Sequence, residues 1–222
     1  MEGLFFYFRQ MEIHIWSDVA CPFCYIGRAH LMKALQETGL EHVNFTWHSF
    51  QLDPSINRED EGRGIAEHLS EKKGMSLSQV QQMMDNVSEM ASDAGLKMQL
   101  STSKVFNTLS CHLLLQYAKS LGKGDALKQV FFERHFLLNQ NLADMALLDQ
   151  ALMQVGILDV SAADILSDSQ WMSKMEDDLY TAQQFNIRGV PLFVFDSKYA
   201  LSGAQPVDVF VKVLKQTLAD QQ

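Results

Sequence analysis

The chain has 222 residues, 47 % hydrophobic and 20 % charged, enough for one sizeable domain or two small ones that share a core. Lys and Arg total 18 against 27 Asp and Glu, a formal charge of -9, so neither nucleic acid nor an anionic membrane surface is expected as the main partner. Three cysteines are too few for a disulfide-stapled secreted scaffold, and no apolar run is long enough to span a membrane.

The opening "MEGLFFYFRQ" is strongly apolar only from Leu4 to Phe8, and it lacks both a basic n-region and a small-residue cleavage site. Residues 1–10 read as a short extension, with Met11 as an alternative start. The expected setting is cytoplasmic, where Cys21 and Cys24 meet a reducing environment.

"EIHIWSDV" (12–19) alternates like a short strand ending at Ser17 and Asp18. "CPFCYIGRAHLMKALQETG" then predicts a helix with Pro22 in its first turn and Gly39 as its stop. "HVNFTWHSFQL" (42–52) reads as a second strand, so a β-α-β unit with parallel strands and a right-handed crossover is expected. From Glu59 to Trp171 no strand pattern is convincing. Helical spacing recurs over 62–74, 76–95, 107–122, 124–140, 144–156 and 169–186, with a further helix near "SAADILSD", and Ser76 and Gln79 form a candidate capping box. "GVPLFVFDSKYALSG" (189–203) predicts a hairpin turning near Asp196 and Ser197, and 205–220 predicts a closing helix with Pro206 in its first turn.

A C-x-x-C at a helix start can support dithiol chemistry. The spacer brings both sulfurs onto one turn, and the unpaired amides there stabilise a Cys21 thiolate, leaving Cys24 to attack a mixed disulfide. Zinc would want about four ligands, and no second pair supplies the other half, so no metal is expected. Two thiols buried simply as core remain the structural alternative. Pro191, at the front of a predicted strand, is an edge or turn proline on sequence grounds.

The segments "SDVACPFCYIG", "LDP" (52–54), "NTLSCH" (107–112) and "GVPLFVFDSKYALSGAQP" (189–206) resemble those of DsbA-type thioredoxin-fold oxidoreductases, in particular the FrnE-like branch. The resemblance runs over nearly the whole chain from Met11. It implies an α/β thioredoxin-like fold (βαβ … αββα) with a large all-helical insertion. The thioredoxin-like domain is then discontinuous, 12–62 plus 176–220, with 63–175 as the inserted helical domain. By the resemblance Cys21 is the nucleophile and Cys24 the resolving thiol. Pro22 and Phe23 support them, and Pro191, following Val190 through a cis bond, faces the pair. Phe23 stands where the strongly oxidising periplasmic relatives usually carry histidine, so nothing there argues for an extreme oxidant.

Asn107, Thr108 and His112 resemble a motif of the same family, which implies that they line a cleft or tie helices together. His48 reads as a satisfied core or edge histidine. Trp16 and Trp47 read as core or as an apolar surround for the dithiol, and Cys111 as a buried hydrophobe. The function expected is a thiol:disulfide oxidoreductase acting on proteins or low-molecular-weight thiols. No tightly bound cofactor is expected, glutathione is a candidate redox partner, and a homodimer is compatible with the chain. The alternatives are a glutathione-dependent isomerase or transferase on a small molecule, resembling the hydroxychromene carboxylate isomerases, and a non-enzymatic chaperone-like binding protein.

Overall fold

The computed structural model describes residues 10–40 and 43–221; the expected extension at 1–10 lies, apart from Gln10, outside the described residues. Strand β1 (Met11–Ser17) leads through a short turn into helix α1 (Pro22–Thr38), and β2 (Val43–Ser49) follows. Pro22 stands in the first turn of α1, where its missing N–H leaves no bond unmade. Gly39 closes the helix at φ 67°, a left-handed conformation that a Cβ would penalise.

Helices α2 (Ile65–Lys73), α3 (Leu77–Asp93), α4 (Leu109–Ser120), α5 (Gly124–Phe132), α6 (Met145–Gln154), α7 (Ala162–Ser167) and α8 (Ser169–Gln184) fill the middle of the chain. The Ser76–Gln79 capping box is formed at the start of α3. The periodicity over 124–140 predicts one helix, but the backbone widens into a π-helical turn at Glu133–Leu137. That widening lets the adjacent side chains of His135 and Phe136 both turn inward, where they are 5 % and 1 % exposed.

The chain returns to the sheet as β3 (Leu192–Phe195) and β4 (Tyr199–Ser202), then closes with α9 (Val207–Ala219). Positive φ at Asp196 and Ser197 makes the hairpin turn. Pro206 lies just outside α9 as its N-cap rather than in the first turn. Among the described residues the sheet has four strands in the order β2-β1-β3-β4, with β1 and β2 parallel and the other pairs antiparallel. This is a thioredoxin-like core with a large helical insertion.

Two clusters of buried apolar side chains meet beside the end of β1. One unites Ile13, Ile15, Ile26, Phe193 and Phe210 of the sheet, α1 and α9 with Val80 and Met84 of α3 and Phe132. The ring of Phe210 stands edge-on to Phe193 at 5.0 Å, a geometry that contributes about 1 kcal/mol beyond area burial. The other cluster packs α4 to α8 around Leu114, Phe131, Leu148 and Trp171. Val19 belongs to this second cluster, while Cys21 and Cys24 belong to the first. The turn between β1 and α1 therefore straddles the seam.

Candidate active site

The β1–α1 turn is held from inside by one carboxylate. Asp18 is 1 % exposed, and its Oδ2 accepts the Leu52 amide at 2.8 Å. Its Oδ1 lies 3.2 Å from His112 Nε2 and 3.4 Å from the Ala20 amide. Burial raises the carboxyl's pKa, but the His112 hydrogen bond, the Leu52 amide and the Lys128 ammonium together hold it below the usual range. Asp18 is thus a buried anion, fixed directly before the dithiol.

Cys21 caps α1 and Cys24 sits one turn in, its amide donating to the Cys21 carbonyl at 3.0 Å. Both thiols are buried, at 3 % and 1 % exposure. They interact as a pair, so the one that keeps its proton is made harder to ionise by the other. Cys21 is the one held up, by its hydrogen bond with Cys24 and by burial. Burial also raises Cys24, but the Cys21 hydrogen bond and Lys128 outweigh it and bring that thiol down. The helix start on its own predicts the anion at Cys21; in the folded chain the cation stands nearer Cys24.

Lys128 arrives from α5 and is 1 % exposed. Its ammonium lies 3.5 Å from the Ser17 carbonyl and over the rings of Trp47 and Phe132, at 5.4 and 5.2 Å. Burial pushes its pKa down, and the sulfurs and Asp18 work against that. The sequence alone marks neither Lys128 nor Asp18 as a site residue. The signal was present for the lysine: in "DALKQVFF" it shares the helical face of Leu127 and Phe131, an unusual place for a charge.

The Cys21 thiol donates to the Val190 carbonyl at 3.6 Å, and the Val190–Pro191 peptide is cis. Gly27 lets this strand approach α1. A Cβ there would meet the Phe193 ring at 3.0 Å and Pro191 Cγ at 3.4 Å. Phe23 is 38 % exposed, beside the buried pair.

The other predicted residues separate. His112 reaches Asp18, while Thr108 is buried at the head of α4. Asn107 works elsewhere, donating to the Ile56 carbonyl at 2.7 Å and accepting from Gln51 at 2.7 Å, which staples a loop to α4. His48 bonds Asp178 at 2.6 Å, away from the sulfurs. Cys111 is fully buried, and desolvation pushes its thiol far up. Among the described residues no three His, Cys, Asp or Glu side chains converge as a metal site.

Residues 12–215 match the model of the DSBA-like thioredoxin domain. A probable DsbA oxidoreductase of Streptomyces coelicolor superposes with a TM-score of 0.88 at 32 % identity, covering 96 % of this chain and 92 % of that one. The Bacillus subtilis protein YwbO is 23 % identical over 205 residues, 92 % of this chain and 96 % of its own. The cytosolic disulfide reductase DsbM of Pseudomonas aeruginosa, solved with glutathione, shares the fold at a TM-score of 0.64 and 15 % identity, over 94 % and 99 % of the two chains.

Proposed function

Because the chain belongs to the DSBA-like thioredoxin-domain family and is a thiol:disulfide oxidoreductase, we propose that it exchanges disulfides through Cys21 and Cys24 and runs in the reducing direction. The observation that carries this reading is the placement of the two thiols. Cys21 donates to the Val190 carbonyl, and the buried Lys128 ammonium acts electrostatically on Cys24.

Once the pair has lost one proton, the proton that remains sits on Cys21, donated to Val190, because Cys24 is the thiol whose pKa is brought down. A substrate strand lying along the 189–191 segment offers its own N–H to the Val190 carbonyl. Cys21 then gives its proton to Cys24 and becomes a thiolate at the helix start, where the free amides favour it. It attacks one sulfur of the substrate disulfide. That S–S bond breaks, a Cys21–substrate disulfide forms, and the departing thiolate takes a proton from water. Cys24 attacks Cys21, its forming thiolate stabilised by Lys128, and its proton passes to the departing substrate sulfur. The second substrate thiol leaves, and the Cys21–Cys24 disulfide holds the oxidising equivalent. Two molecules of glutathione return the pair to the dithiol.

Pro22 and Phe23 shape the start of α1, and Pro191 presents Val190. Phe23 offers no positive charge to a thiolate, which favours a reductant over a strong oxidant. The quoted motifs support placement in the FrnE-like branch. The cytosolic setting named for DsbM supports a cytoplasmic enzyme acting on proteins or small thiols. The test is an insulin- or glutathione-disulfide exchange assay on wild type, C21A and C24S. Wild-type rates in C21A would overturn the assignment, and full activity in C24S would favour a glutathione-dependent isomerase or transferase.

A further inference from the structure

The sheet has a second chemically equipped face. Helices α1 and α9 cover the side of Ile13, Ile15 and Phe193. On the other side, strand register aligns His48, Trp16, Leu192 and Ser202 in one row. Thr46, His14, Val194 and Ala200 align in the next. Helix α8 packs chiefly at the β2 end of this face, where Asp178 meets His48. Over β1, β3 and β4 lies an open groove of about 700 Å³, bordered by the segment 185–189.

A chain of hydrogen bonds ends in this groove. Asp178 is buried, and its carboxylate accepts from His48 Nδ1 at 2.6 Å, the Ser49 amide at 2.8 Å and Gln116 Nε2 at 2.5 Å. His48 Nε2 lies 2.9 Å from His14 Nδ1. With both rings neutral only one pattern satisfies every atom. His48 donates to Asp178 and accepts from His14, which leaves the His14 Nε2 lone pair free to accept. The charged groups nearest this chain are Glu12, 4.0 Å from His14 Nε2, and Lys119, 3.7 Å from Asp178. Neither is within hydrogen-bond reach of the group it faces.

Trp16 lines the same groove, stacked on His48 at 4.3 Å. It is 5 % exposed, yet its indole N–H has no acceptor among the described residues. A buried donor without a partner costs about 1–3 kcal/mol and makes the Trp16 indole a sensitive reporter of anything that seats on this face. Leu192, Val194 and Ala200 supply a flat apolar floor, and Phe185, 73 % exposed, an aromatic wall. At the far end Arg188 donates through Nε to Asn186, and it has no carboxylate partner among the described residues. Glu12 makes the His14 end unfavourable for an anion, whereas Arg188 favours one.

We propose that this groove binds a small aromatic acid bearing a hydroxyl group. The ring lies on the β3–β4 floor, the hydroxyl donates to His14 Nε2, and the carboxylate pairs with Arg188. The site lies on the opposite face of the sheet from the α1–α9 core and is independent of the dithiol reading. No covalent step is involved.

The test is calorimetric titration of the full-length reduced protein with 4-hydroxyphenylacetate and with phenylacetate, near neutral pH. The hydroxylated acid should bind saturably and more tightly than phenylacetate. R188Q should weaken both acids about tenfold, and H14F should weaken only the hydroxylated one, by about tenfold. C21S should bind as wild type does. In the ¹⁵N-labelled wild type the Trp16 indole signal, assigned with W16F, should shift on binding while those of Trp47 and Trp171 stay in place. This last measurement needs no variant of the groove to fold. No saturable binding up to about 10 mM, affinities unchanged in both H14F and R188Q, or a Trp16 signal that does not move would each overturn the proposal.

Discussion

Cys21 Sγ lies 3.6 Å from the carbonyl oxygen of Val190, a contact that spans 169 positions of the chain. It joins the start of α1 to the loop before β3, so the dithiol and the segment that would meet a substrate strand are one unit. On this geometry C21S should lose exchange altogether, since no sulfur remains beneath Val190. C24S should instead accumulate a mixed disulfide that is never resolved. Mass spectrometry of the non-reduced protein after incubation with a disulfide substrate separates the two outcomes.

Lys128 should govern how readily the pair ionises. Methionine keeps most of its packing against Trp47 and Phe132 and removes the charge. In K128M the midpoint of thiolate absorbance should move to higher pH, and iodoacetamide alkylation near pH 7 should slow by about tenfold. An unchanged absorbance titration would show that Lys128 is only structural.

Gly27 should resist even alanine. The added Cβ would stand 3.0 Å from the Phe193 ring, and Phe193 is fully buried with nowhere to retreat. Overpacking costs about 1–3 kcal/mol, and the better helix propensity of alanine returns nearly 1. G27A should therefore lose about 1 kcal/mol in urea denaturation.

His135 should weaken the fold in mild acid. It is buried beside Phe106 and Phe136, and desolvation pushes its pKa from 6.5 down to about 4. The unfolded chain therefore binds a proton at about pH 6.5 that the folded chain refuses until about pH 4. Stability falls as pH drops through that window, by about 3 kcal/mol in full, and does not fall further from this group below it. H135L should flatten this part of the curve, measured by urea denaturation at steps between pH 7 and 4.

Much of the site was legible because its parts are local. Pro22 at a helix start, Gly39 at its end and two cysteines one turn apart follow from short-range geometry, and they read directly from "CPFCYIG". From sequence His112 reads as a cleft or helix-packing residue. The structure gives it a specific partner in Asp18, which in the sequence stands out only as the end of a strand. The π-helical turn at 133–137 escaped because a widened turn differs from a straight helix by one hydrogen bond, too little to disturb apolar spacing.

The sequence by itself determined the order of strands and helices, the Gly39 stop and the Ser76–Gln79 box, because periodicity and backbone chemistry act over a few residues. The facing of the dithiol by Val190–Pro191 came only with the family resemblance. Only the tertiary structure decided which charges surround the sulfurs and which sheet face stays open. Lys128 acts on Cys24 because α5 turns it into the interior beside Leu127, and His14 meets Asp178 through His48 because β1 pairs with β2 and α8 packs on β2. Electrostatic strength depends on burial and distance. Both are set when elements far apart in the chain close around one core.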